Sequence, residues 1–238
     1  MPTDHSSTPS PPKSTEESIY TDLFDSILER RLPPTTKLGE NLLAEHYGVS
    51  RTIVRQVLVR LAHDRLIDLE PNRGAFVASL TLEQAKQLYV AWRLIESALV
   101  REITCTITPP QIAELRLLVK EERLACERKD LPRLTRLSLQ FHMELADMSQ
   151  NKYLARFLKE LIPQTSLAFF YEVQAMPICK KDEHSEILDR IAAGDEEAAV
   201  QAVLSHLDGI ESALNALASL NGNASIADLL KSRSPSLH

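Results

Sequence analysis

The sequence predicts a mainly α-helical protein in two parts, an N-terminal winged helix-turn-helix over residues 17–80 and a C-terminal all-α antiparallel helical bundle over 81–220. Three observations predict it. Three short helical signals are followed by two β-type runs about a turn, the order of a winged helix. From Thr81 onward the apolar residues recur at helical spacing, with short connectors between runs. Glycine is scarce, six in 238 residues, and aromatics make up 5%, which disfavours Gly-rich sheet architectures.

Residues 1–16, rich in Pro, Ser and Thr, bury too little apolar surface to offset their ordering entropy and read as a disordered tail. Ile19, Leu23, Ile27 and Leu28 then mark a helix that stops before Pro33-Pro34. Leu42, Leu43 and Tyr47 mark a second, ended by Gly48. Ser50 is a good N-cap for a third helix over 51–64, because its hydroxyl satisfies an orphan amide of the first turn. Val54, Val57, Leu58 and Leu61 lie on one side of it. Runs at 66–69 and 75–77 flank a Pro71-Asn72-Arg73-Gly74 turn.

The first helix of the bundle, over 81–104, places Leu82, Leu88, Trp92, Ile95, Leu99 and Ile103 at helical intervals. Thr108 before Pro109-Pro110 opens the second, as a cap followed by an N1 proline. Asp130 and Pro132 open the third, to about Ser149. Asn151 begins the fourth, with Pro163 as a kink or break inside it. The fifth, over about 181–193, ends at Gly194, and Asp195 caps a sixth through about Leu217. Residues 221–238 turn Asn- and Ser-rich and read as a flexible tail.

Lys and Arg number 27 against 33 Asp and Glu, a formal charge of −6, so the chain is not a non-specific polycation. No apolar run approaches the roughly 18 residues of a membrane span. The N-terminus lacks the charged-then-apolar grammar of a secretion signal. Cys105, Cys126 and Cys179 are odd in number and widely spaced, which points to a reducing cytoplasm with the thiols as buried filler.

On a wheel at about 100° per residue, Arg51 and Arg55 lie about 40° apart, with Thr52, Gln56 and Val59 beside them. The opposite side is apolar. Two guanidinium forks, a hydroxyl and an amide suit phosphates and the guanine edge that arginine meets bidentately. Between residues 50 and 74 five arginines face three acids, a local excess of +2 in a chain of net −6.

The string GENLLAEHYGVSRTIVRQVLVRLAHDRLIDLEPNRGAFV resembles the DNA-binding domain of GntR-family transcriptional regulators. It matches in the turn, the Ser-Arg-Thr start of the third helix, the Arg four residues on, and the Arg-Gly-Ala-Phe-Val wing. The resemblance implies that Arg51, Thr52 and Arg55 read the major groove, and that Arg73 and Gly74 sit at a wing tip near the minor groove. Many relatives carry a basic residue after the Glu of the second helix; here it is Asn41, so a contact there is made by the amide or lost.

Three of seven histidines, His142, His184 and His206, stand on separate bundle helices. Converging neutral imidazoles would suit Zn²⁺ or a similar divalent ion with open positions. Their separations, 42 and 22 residues, are no local ligand motif, and spacing does not bring them together. Phe141-His142 with Asn151, Glu183-His184 with Gly194-Asp195, and His206-Leu207 resemble the FCD ligand-binding domain of the FadR subfamily. That resemblance implies histidines which, with an aspartate one turn before the first, hold a metal beneath an organic-acid pocket. Ser138 stands where that aspartate would be, so the site is three-coordinate from protein, weaker, or metal-free, and its pocket is more positive. Arg93, in an Arg-x-x-Glu that also resembles the family, faces either the effector carboxylate or Glu96 in an i,i+3 pair. Trp92 reads as core or interdomain packing, while Tyr89 and Tyr171 are both within the reach expected of cavity residues.

The expectation is a dimeric transcriptional regulator, a repressor rather than an activator. It would bind a palindromic double-stranded operator and be tuned by a small organic acid in the C-terminal domain, without membrane association. The alternatives are a metal-dependent enzyme using the three histidines to activate water, and a helical protein whose N-terminal module binds another protein.

Overall fold

A computed structural model of the chain describes residues 15–168 and 182–223, with side chains of α9 described as far as residue 212. Its described elements run α1 (Thr15–Leu28), β1 (Lys37–Leu38), α2 (Glu40–Tyr47), α3 (Arg51–His63), β2 (Ile67–Glu70) and β3 (Gly74–Val77). The helices α4 (Leu82–Thr106), α5 (Pro109–Glu127), α6 (Leu131–Met148), α7 (Lys152–Ala168), α8 (Glu183–Ala192) and α9 (Glu196–Asn223) follow. This is the mainly helical fold expected, with a small sheet confined to the N-terminal part.

Helix starts follow side-chain chemistry. Ser50 Oγ accepts from the Ile53 amide, Thr81 and Gln84 form a reciprocal capping box, Asp130 accepts from the Arg133 amide, and Asp195 from that of Ala198. The Thr108 amide donates to Gln111 Oε1 at 2.9 Å, closing the start of α5. Gly194, with φ 72°, takes the left-handed conformation that lets α8 stop.

The hairpin pairs antiparallel, Ile67 with Val77 and Glu70 with Gly74. Its turn needs Asn72 at φ 62° and Gly74 at φ 108°, conformations that Asn tolerates and Gly adopts without strain. A third strand was not expected: β1 pairs Lys37 with Phe76 and Leu38 with Ala75, giving the order β1-β3-β2. Two residues are too few to carry an alternation, so only pairing reveals this edge.

Other boundaries differ for physical reasons. α1 begins at Thr15, so the last two residues of the expected tail are helical, and residues 1–14 lie outside the described residues. α9 continues to Asn223, beyond Leu217 and into the first residues of the other expected tail, because propagating a formed helix costs little per residue. The remainder of that tail lies outside the described residues, as does Lys181, where the fifth bundle helix was expected to begin. α7 passes through Pro163 without a break; Thr165 and Ser166 donate back to the carbonyls of Ile162 and Pro163. Leu42, one of the apolar residues that mark α2 in the sequence, is 68% exposed, since on that helix only Leu43, Ala44 and Tyr47 reach the core below. The thiols also depart from expectation. Cys105 is exposed and donates to Glu196, Cys126 is disulfide-bonded, and Cys179 lies outside the described residues.

Two large apolar clusters organise the described residues, beside a small third of Ala125, Leu134 and Leu137. Ile19, Leu23 and Ile27 of α1 meet Val54, Val57, Leu58 and Leu61 of α3 and the inner sheet residues Leu38, Ile67, Ala75 and Val77. The bundle cluster is built on Tyr89, Trp92, Leu99, Phe141, Leu158, Ile187 and Leu207. Each large cluster borrows a residue from across the boundary: Leu28 of α1 is buried in the bundle, and Leu167 of α7 in the winged-helix core. Glu29 beside Leu28 accepts from Arg136 of α6 at 3.2 Å, and desolvation lowers the pKa of half-buried Arg30 to about 10. Leu167→Ala should therefore destabilise the N-terminal module although it lies on the bundle's chain. About 2–5 kcal/mol lost is expected, read from the denaturant midpoint of full-length protein.

Candidate nucleic-acid interface and candidate metal centre

The outward face of α3 is what its periodicity dictates. Val54, Val57, Leu58 and Leu61 are buried, so Arg51, Thr52, Arg55 and Gln56 stand exposed on the other side. Asn41, one helix earlier, is also exposed. Arg73 and Gly74 lie at the tip of the β2–β3 hairpin, where Arg73 pairs with Glu70 and lies 5.4 Å from the Phe76 ring centre. Lys37, missed by sequence reasoning, approaches the same ring at 5.8 Å because β1 pairs with β3. Arg60 is turned away from this face: it stacks on Tyr20 at 3.7 Å and pairs with Glu17.

A second missed residue sits among the exposed arginines. Glu40, the first residue of α2, accepts from Arg55 Nε at 3.0 Å and Nη2 at 2.8 Å, and from Arg51 Nη2 at 3.2 Å. These hydrogen bonds, chiefly that of Arg55, hold the Glu40 carboxyl below the usual range.

Within the bundle, His142, His184 and His206 occupy positions of apolar stripes. His142 stands beside Phe141 and ahead of Leu145, and His184 precedes Ile187, Leu188 and Ile191. Burial of those stripes brings three imidazoles from α6, α8 and α9 together: His206 Nε2 lies 3.3 Å from both His142 Nε2 and His184 Nε2. All three rings are buried, and their ligand atoms lie within 4.8 Å of one another.

Each ring is held from behind by a carboxylate that sequence reasoning did not assign. His142 Nδ1 meets Glu96 at 2.6 Å, His184 Nδ1 meets Glu122 at 2.7 Å, and His206 Nδ1 meets Glu183 at 2.7 Å. A carboxylate accepting the Nδ1 proton leaves the lone pair of a neutral imidazole on Nε2. Three lone pairs then face one another in a dry core, an arrangement that repels unless a cation or proton lies between them. The donor set and its carboxylate supports fit a divalent ion of the zinc type.

Desolvation reinforces this state. Burial, and then the neighbouring His184, push His142 well below the ordinary histidine range, while burial takes His206 down to about 4. Burial raises Glu96 to about 7, against the hydrogen bond from Trp92 Nε1. With His142 held neutral by burial, its contact with Glu96 is a hydrogen bond in which Nδ1–H donates, rather than an ion pair.

Ser138 is half-buried one turn before His142 and supplies no charge. Arg93 forms no pair with Glu96, which is fully buried behind His142; it crosses to Asp208 and Glu211 of α9 instead. Trp92 is core packing and stacks with Tyr89, which is itself buried. Tyr171 lies outside the described residues.

Comparison with known proteins agrees with both halves. Residues 15–77 match the profile of bacterial regulatory proteins of the gntR family, and residues 87–209 match the FCD domain. The chain is 26% identical over 216 residues to the HTH-type transcriptional repressor RspR of Escherichia coli (strain K12), covering 90% of this chain and 94% of that protein. It is 26% identical over 205 residues to the HTH-type transcriptional regulator LutR of Bacillus subtilis (strain 168), covering 77% and 94%. A GntR transcriptional regulator from Rhodococcus sp. RHA1 superposes with a TM-score of 0.72 at 26% identity, covering 86% of this chain and 99% of that one. The fold is shared too by E. coli McbR/YncC, with a TM-score of 0.77 at 20% identity over 85% of this chain and 98% of that one. Among the described residues no helix is long and apolar enough to cross a membrane.

Two outcomes follow for metal at the histidines. Glu96→Gln replaces an acceptor of the His142 proton and should weaken Zn²⁺ about 10–100-fold, measured by chelator competition alongside a thermal melt. Burial depresses His142 and His206, so at these two rings protons compete with metal only as pH falls below the free value of 6.5, toward about 4 for His206. Metal content after gel filtration at stepped pH should persist below 6.5; complete loss by that pH contradicts the burial argument.

Proposed function

The chain belongs to the GntR family of bacterial regulatory proteins and carries an FCD domain, and from that membership we propose a dimeric repressor that releases or engages a palindromic operator in response to a small organic acid. The observation that carries the DNA half is the rigid exposed edge of α3. Arg51, Thr52, Arg55 and Gln56 stand free of the core that fixes their helix, beside a wing tipped by Arg73 and Gly74. In this reading α3 enters the major groove, Arg51 and Arg55 meet guanine edges or phosphates, and the wing reaches the minor groove. Asn41 supplies an amide contact at the margin.

A two-fold dimer meets a two-fold site, each α3 in a successive major groove. Val90 and Leu94, one turn apart on α4 and 54% and 69% exposed, support a self-contact along that helix. A chromosomal operator as partner implies, in this reading, a cytoplasmic protein.

His142, His184 and His206 would hold a divalent ion, zinc by donor type, through their Nε2 atoms. Such an ion would supply a Lewis-acidic centre to which a carboxylate could bind. Without an aspartate at Ser138, the centre would carry more positive charge, which favours an anionic effector. Arg93 reaches that effector only by exchanging Asp208 or Glu211 for its carboxylate. The effector tunes DNA affinity to the extent that it binds the two arrangements of the dimer unequally, and a coupling of about 1–3 kcal/mol gives about 5–150-fold.

The relatives are DNA-binding transcriptional regulators rather than enzymes, and the site offers no support for water activation. Glu96, Glu122 and Glu183 are each engaged behind a histidine ring, on the side away from the converging Nε2 atoms.

The test is selection from a random-sequence duplex library followed by footprinting. Wild type should enrich a two-fold motif. Arg55→Ala should lose specific binding by about 1–3 kcal/mol at the contacted base with an unchanged melting temperature; unchanged protection removes the assignment of α3.

A further inference from the structure

The carboxylate of Glu40 bonds both arginines of the exposed α3 edge although it belongs to another helix. Arg55 presents Nε and Nη2 to it, the side-on fork, which leaves Nη1 directed elsewhere. Arg51 gives only Nη2, so its Nε and Nη1 are uncommitted to this carboxylate. Both arginines are more than half exposed, 61% and 62%, and unconstrained side chains of that length would sample many rotamers. Glu40 itself is 29% exposed and starts α2, whose backbone is fixed by packing on α3. A rigid anion therefore holds two flexible cations in one register.

We propose that Glu40 is the specificity-setting positioning residue of the DNA interface, orienting the free edges of Arg51 and Arg55 toward bases while restraining both from phosphates. The proposal rests on the reading that α3 enters the major groove. Its physical content is twofold. Orientation lowers the ordering cost of a base contact that demands fixed geometry. The negative charge meanwhile opposes adventitious phosphate binding, which carries no sequence information and releases counterions. Loss of Glu40 should thus strengthen binding to arbitrary sequence while weakening discrimination, the opposite of a purely structural defect.

Full-length wild type, Glu40→Gln, Glu40→Asp and Arg55→Ala are compared on the duplex enriched by wild type and on a random-sequence duplex. Fluorescence anisotropy is read across a salt series, with melting temperatures to confirm folding. For Glu40→Gln the ratio of selected to random affinity should fall about tenfold, the worth of one bidentate base contact. Its salt slope on the random duplex should steepen by about one unit for each arginine released to a phosphate. Glu40→Asp, which keeps the charge on a shorter arm, should retain the shallow slope but recover only part of the ratio. If Glu40→Gln keeps both ratio and slope while Arg55→Ala loses discrimination, the role of Glu40 is overturned and the α3 assignment stands. If wild type enriches no motif and Arg55→Ala binds as wild type does, the assignment of α3 falls and the proposal with it.

Discussion

The arrangement on which the bundle depends is the pairing of each buried imidazole with a carboxylate at its outer nitrogen. Glu96, Glu122 and Glu183 come from α4, α5 and α8, and the rings they hold come from α6, α8 and α9. One polar cluster thus draws on five of the six bundle helices. Buried polar groups are costly unless satisfied. Here the outer nitrogens are satisfied within the chain, and the inner ones are left for something positive. The Phe141 ring, 4.2 Å from His184, and the Trp92 ring, 4.9 Å from His142, wall the cluster with apolar surface. That wall raises the stakes of every hydrogen bond inside it.

The absence of an aspartate at Ser138 changes where negative charge resides rather than removing it. The carboxylates stand one bond network further out, behind the rings, so the converging atoms are all nitrogen. A set of three imidazoles selects ions that tolerate borderline donors over those that require oxygen. It also leaves any bound anion facing less repulsion at the centre.

The same helix that carries His142 carries Arg136, which reaches Glu29 at the end of α1. α1 in turn packs its Ile19, Leu23 and Ile27 into the core that fixes α3. With Leu28 and Leu167 exchanged between the two clusters, the histidine cluster and the α3 edge are joined by contiguous packed side chains. Close-packed cores do not deform continuously, so side chains joined in this way shift between discrete arrangements if they shift at all.

Local patterning alone determined much of this protein. Hydrophobic periodicity predicted α1, α3 and the bundle helices, and Ser50, Asp130 and Asp195 marked helix starts through hydrogen bonds spanning one turn. The exposed quartet of α3 followed from the same periodicity, since burying one stripe exposes the other. Tertiary structure alone decided β1, whose two residues have no period, and the exposure of Leu42, whose stripe had no partner to cover it. It also decided every partner that completes the sites. Glu96, Glu122 and Glu183 lie 46, 62 and 23 residues from their histidines, and Glu40 lies 15 from Arg55. Arg93 chose Asp208 and Glu211 over nearby Glu96 for the same reason. A side chain's partner across that distance depends on how helices pack, and no spacing along one helix encodes it.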